Sequence, residues 1–193
     1  MSSEFAITLY VLIILTLLVL IRNIRAKEVR ELFWFCELSP LLLIIGILFQ
    51  NTQFIKGVIN IGLFSQIITL ITLSLVIFSN FKIVTFKRTK SKGFFYIAVS
   101  FLLHILSVNL AFALTLSDKA NYLSLVYSVF ILAGLFIVTY LFTDHEKNIN
   151  FIDSLDFANF KPKYYQYMWL ILAFLLIVLP TYFFQNWITG LIK

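Results

Sequence analysis

Six stretches of this chain are apolar runs close to the length a helix needs to cross a lipid bilayer. They cover residues 5–21, 32–49, 54–78, 94–116, 122–142 and 165–184. A hydrocarbon core about 30 Å thick takes ~20 mostly apolar helical residues to span. Composition agrees: 61% of residues are hydrophobic and 12% charged, against about 45–50% and about 25% in a soluble domain. Mean hydropathy is +0.98. That leaves too little polar surface to cover a water-soluble particle. With six Gly, three Pro and one Cys, the chain is not collagen-like, and one cysteine cannot close an internal disulfide or form a CxxC redox pair. The sequence therefore predicts an all-α, polytopic membrane protein, a single domain over 1–193 that forms a bundle of six transmembrane helices. No basic segment precedes the first stretch, and Asn23 and Arg25 follow it where a cleavage site needs small residues. A retained helix is expected there, not a signal peptide.

Twelve of the fifteen Lys and Arg fall in the odd-numbered connections. Arg22, Arg25, Lys27 and Arg30 follow the first stretch; Lys82, Lys87, Arg88, Lys90 and Lys92 follow the third; Lys147, Lys161 and Lys163 follow the fifth. Lys56, Lys119 and Lys193 are assigned to the opposite side. By the positive-inside rule, the odd-numbered loops are expected in the cytoplasm and both termini outside it. The net charge of +6 is then a membrane feature and does not imply nucleic acid. Arg22, Arg25, Lys27, Arg30, Lys87, Arg88, Lys90 and Lys92 favour anionic lipid headgroups as partners, at about 1 kcal/mol each near the surface. An oligomer or a complex partner stays open.

Ionisable residues at membrane depth are costly and point to function. The second stretch carries Cys36 and Glu37 near its cytoplasmic end, and the fourth carries His104 near its middle; with Lys56, at the start of the third, counted on the outer side, no other charged residue is expected within a span. Pro40 has no amide hydrogen to give the carbonyl of Cys36, so the helix should loosen there and Glu37 should face protein or water. Gly62, Ser65, Gln66, Thr69 and Thr72 form a polar stripe on the third stretch, and Ser100, His104, Ser107 and Ala111 form one on the fourth. Such stripes pack membrane helices; Glu37, Gln66, Ser100 and Ser107 are also candidates to line a polar or substrate cavity. No HExxH, phosphate loop, GxSxG or zinc-ligand cluster occurs, so neither a metal nor a cofactor is expected. What remains is a thiol with a base: Cys36 as nucleophile and His104 as general base are the candidate catalytic residues. Their depths along the two helices differ by ~7 Å at 1.5 Å per residue.

The order of features resembles the YwaF-like integral membrane proteins, a six-helix family related to phospholipid acyltransferases that work through a cysteine. The likeness rests on Trp34-Phe35-Cys36-Glu37-Leu38-Ser39, on Gly62-Leu63-Phe64 in the run 46–66, and on Phe101-Leu102-Leu103-His104 in the run 94–111. Trp34 stands where the family has a histidine two positions ahead of the cysteine. The resemblance implies lipid acyl transfer through Cys36 with His104. Two other functions compete with it: a non-catalytic membrane subunit or lipid-binding scaffold, and a small-solute or ion transporter whose path would run past Glu37, Gln66 and His104.

Overall fold

The structure, a computed structural model, describes residues 3–79, 93–143, 149–151 and 164–192. Lys82, Lys87, Arg88, Lys90, Lys92, Lys147, Lys161, Lys163 and Lys193 lie outside the described residues, as does the side chain of Thr72. Among the described residues the fold is all-helical. Its helices are α1 (Ser3–Arg25), α2 (Phe35–Leu48), α3 (Thr52–Ser79), α4 (Phe94–Leu114), α5 (Tyr122–Phe142) and α6, which runs over residues 165–192. Five of the six are long and apolar enough to cross a membrane. The sixth, α2, has 14 residues, or ~21 Å of rise. Leu32 and Phe33, expected to begin it, belong instead to a separate 3-10 segment, Val29–Phe33, joined to α2 through extended Trp34.

Among the described residues, short, capped connections turn the chain back between α1 and α2, α2 and α3, and α4 and α5. Both α1 and α2 stop at a left-handed residue in the place where glycine is commonest: Lys27 (φ 57°) and Gln50 (φ 50°). The amide one position further on then closes each turn, Glu28 onto the Asn23 carbonyl at 2.9 Å and Asn51 onto the Gly46 carbonyl at 2.9 Å. Asn51 restarts the chain at once, its Oδ1 accepting the Phe54 amide at 2.9 Å, and Asn121 opens α5 by accepting the Leu123 amide at 2.9 Å. These side chains satisfy amides that the first turn of a helix leaves bare.

α3 is the central helix. Its apolar window is 56% buried, against 22% for α1 and for α5, and it packs on α2, α4, α5 and α6. Two glycines allow the close approach. A Cβ on Gly57 would sit 2.8 Å from Tyr127 Cβ, and one on Gly62 would sit 2.7 Å from Val108 Cγ2. Leu12, Leu43, Ile47, Ile55, Ile59 and Val108 fill the interior, while Ile, Leu and Phe also cover the outer surface, as a lipid-facing bundle requires.

α6 extends past its expected end at 184 to Ile192, because Gln185 and Thr189 are buried against the bundle. It is α-helical over Tyr165–Ala173 and Leu179–Ile192, with a π turn at Phe174–Val178 between them. The Leu179 amide reaches back to the Phe174 carbonyl. Pro180 follows directly, and its ring would crowd a carbonyl in a regular α turn; the wider turn relieves that clash.

Candidate functional site: a polar seam and an apolar cleft

At the end of the bundle where α1 finishes and α2 and α4 begin, five side chains meet away from solvent. Arg22, on the last turn of α1, is 2% exposed and Asn23 is fully buried. Glu37, one turn into α2, receives hydrogen bonds from both. Arg22 Nη1 also donates to Ser100 Oγ on α4 at 2.8 Å, and its guanidinium lies 4.4 Å from the centre of the Tyr96 ring. Tyr96 in turn donates to Glu31 Oε2 at 2.6 Å. This corrects two expectations: Arg22 is neither a loop cation nor a headgroup ligand but the buried counter-charge of Glu37. Arg25, Lys27 and Arg30 are exposed at the same end.

His104 lies one turn beyond Ser100 on α4. Its Nδ1 is 2.7 Å from the Ser100 carbonyl. A carbonyl only accepts, so Nδ1 carries the proton. Nε2 is buried without a partner among the described residues. Deeper still, Ser39, Gln66 and Ser107 form a ring across α2, α3 and α4: Gln66 Nε2 donates to Ser39 Oγ at 3.0 Å, Ser107 Oγ donates to Gln66 Oε1 at 3.0 Å, and the two hydroxyl oxygens lie 3.4 Å apart.

The proline expectation meets a specific answer here. α2 continues as α-helix through Pro40, and the Cys36 carbonyl that proline leaves unpaired accepts the Ser39 hydroxyl at 2.9 Å. Glu37 faces protein. The Cys36 side chain, about 100° round the helix from Glu37, lines a cleft of about 180 Å³ between the start of α2 and helices α3, α5 and α6. Ile61, Leu132, Leu135 and Trp169 contribute to its walls, and the π turn of α6 supplies Leu176 and Ile177.

The polar groups of those walls are already occupied. Ser65 Oγ donates to the Ile61 carbonyl at 2.9 Å and Thr69 Oγ1 to the Ser65 carbonyl at 2.8 Å; both atoms of the Gln66 amide belong to the ring just described. Asn150, held at φ 56°, is tied on every side. Its Nδ2 donates to the Phe33 carbonyl at 2.8 Å and to Thr139 Oγ1 at 2.9 Å, its Oδ1 accepts the Phe35 amide at 2.7 Å, and its carbonyl accepts Trp169 Nε1 at 3.0 Å. What the cleft presents to an occupant is hydrocarbon, aromatic rings and the Cys36 thiol.

The candidates proposed from sequence are thus divided. Cys36 and Gln66 border the cleft; Glu37 and Ser100 hold Arg22; Ser107 closes the ring with Gln66. No hydrogen bond joins the Cys36 thiol to the His104 ring, and His104 is not among the residues lining the cleft. A second polar group lies on another face of α3, toward the opposite end. Gln185 Nε2 donates to Asn60 Oδ1 at 2.6 Å, and Asn60 Nδ2 to Ser128 Oγ at 3.2 Å. Beside it Lys56, expected in a loop, is fully buried within α3. Its Nζ lies 5.6 Å from the centre of the Phe112 ring and has no hydrogen-bond partner among the described residues. Asn60 and Gln66 are ~9 Å apart in rise and ~120° apart around α3.

Sequence periodicity carried the signal for Arg22. Thr8, Leu12, Leu15, Val19 and Arg22 recur at three- and four-residue steps, and all five are buried on α1. Asn150 gave no such signal, lying in a polar connection without periodicity. Compared with protein-family models, curated proteins and solved structures, the chain gives no match.

Proposed function

We propose that this protein is a lipid-binding membrane scaffold whose cleft between α2, α3, α5 and α6 holds part of a membrane lipid. The observation that carries this reading is the cleft wall: the polar groups of Ser65, Gln66, Thr69, Asn150 and Trp169 are consumed by internal hydrogen bonds, so an apolar occupant leaves none of them unpaired. Burying a polar solute there without partners would cost several kcal/mol. A transporter is disfavoured for a second reason. The Gln66 ring and the Asn60 group sit on different faces of α3, and no hydrogen bond links them. The bias of Lys and Arg assigns the Arg22 end to the cytoplasm, with exposed Arg25, Lys27 and Arg30 positioned for anionic headgroups.

Lipid retention tests the reading. Native mass spectrometry of protein released from bilayer nanodiscs should show bound lipid, and Leu135→Trp, which fills the cleft, should remove it. Equal retention by both proteins contradicts the proposal. A second reading, acyl transfer through Cys36, is favoured by one observation, the position of the thiol on the cleft. It requires a base other than His104 in its present hydrogen-bonding arrangement. A thioester on Cys36 after incubation with labelled phospholipid would establish it, and lipid turnover unchanged in Cys36→Ala would exclude it.

A further inference from the structure

The cleft has direction as well as composition. One end is bordered by Trp34, Asn150 and Tyr165, and the other by Ile61, Leu132 and Ile177. Trp and Tyr favour the membrane–water interface, and the exposed cations Arg25, Lys27 and Arg30 belong to the same end of the bundle. From Tyr165 to Ile177 the wall formed by α6 rises ~18 Å, a little over half of a hydrocarbon core about 30 Å thick. That is the depth of one leaflet. The cross-section is small: an apolar cavity of about 150 Å³ takes a single benzene ring, so about 180 Å³ has room for a segment of one chain and not for two side by side.

Resting on the scaffold reading above, we infer that the cleft takes one acyl chain of an anionic lipid from the leaflet at the Arg22 end. Its headgroup lies beside Trp34 and Tyr165, and its methyl end points toward Leu132 and Ile177. Cys36, in the first turn of α2, then lies against the part of the chain nearest the headgroup. Lys27 and Arg30, exposed at that end, fit a headgroup of opposite sign, whereas Arg25 lies over the Phe95 ring of α4; the neutral deep wall fits the chain end.

Phosphatidylglycerol carrying a photoactivatable diazirine either near the carboxyl group or at the methyl end of one chain tests this in nanodiscs. Leu132 is 4% exposed and Phe130, on the same helix, is 71% exposed, so cleft lipid and surrounding lipid give separate signals. The methyl-end probe should label Leu132 and Ile177, and the carboxyl-end probe Trp34 and Tyr165, each with a several-fold preference. Ala173→Trp should abolish labelling at Leu132 and leave Phe130 labelled. Phosphatidylcholine probes should label Leu132 several-fold less. The opposite order of labelling overturns the orientation while leaving the cleft lipid-filled. Equal labelling by phosphatidylcholine overturns the anionic headgroup. Labelling of Phe130 with none at Leu132 or Ile177 by any probe overturns the scaffold reading itself.

Discussion

Glu37 can be replaced cleanly to ask what the buried ion pair does. Glu37→Gln leaves the Arg22 guanidinium 2% exposed with its counter-charge gone, and loss of one partner of a buried pair costs about 3–5 kcal/mol. The unfolding midpoint in detergent should fall accordingly. The double change Arg22→Met with Glu37→Leu should recover most of the loss, because well-packed apolar replacements of a buried pair are often neutral or stabilising. A double variant as unstable as Glu37→Gln would mean that the pair holds α1 and α2 in register as well as balancing charge. Ser39→Ala is a smaller change at the same level. It strips the donor from the Cys36 carbonyl, and an unsatisfied buried acceptor costs about 1–3 kcal/mol. Pro40→Ala in that background restores a backbone amide for the carbonyl and should return the midpoint toward wild type. At this scale the sequence was only partly legible. Cys36, Glu37 and the Gln66 stripe stood out by residue type. Arg22 was misplaced because a charge count assigns cations to loops, although its spacing from Leu15 and Val19 marks an inward face. Asn150 acts through backbone contacts and a positive φ, which residue type alone does not reveal.

Among the elements, α6 offers the most specific test. Its π turn widens the helix by the equivalent of one extra residue, and the flanking α segments keep Trp169 and Gln185 both buried. In a Pro180→Ala background, where no ring crowds a regular turn, deleting Leu175, 51% exposed within the π turn, should let the segment close as α-helix with both buried faces kept in phase. Deleting Ile171 from the preceding α segment should instead rotate residues 165–170 by ~100° and expose Trp169. The midpoint should fall much less for the first deletion than for the second; equal losses would show that the π turn is not a tolerated insertion. Helix limits are legible where hydropathy changes sharply: α5 spans Tyr122–Phe142, as expected. They are hidden where a polar residue is buried by a partner helix. Gln185 ended the apolar run in sequence, yet Asn60 receives it inside the bundle. The start of α2 is hidden too, because Leu32 and Phe33 are apolar but lie in a 3-10 turn.

For the whole molecule, the helices of the bundle follow from apolar run lengths, whereas the separation of the polar seam from the apolar cleft depends on which face each helix presents. Cys36 and Glu37 are neighbours in sequence and point into different environments, so proximity along the chain could not foretell that one meets Arg22 and the other the cleft. The proposed sidedness is testable on exposed positions: in a Cys36→Ser background, Lys27→Cys should react with an impermeant maleimide only from the cytoplasmic face and Lys119→Cys only from the other. Reaction of both from one face would contradict the antiparallel order, and exchange of the two faces would reverse the proposed orientation. The central claim is that the cleft holds lipid and that the polar seams do not join into a conduit. An experimental density map of the protein in a lipid nanodisc tests it most directly. The account predicts one elongated, unbranched density running from Trp34 and Tyr165 past Cys36 to Ile177, with dry, packed side chains between Gln66 and Asn60. A cleft filled with ordered water, or a file of waters linking Gln66 to Asn60, would contradict it.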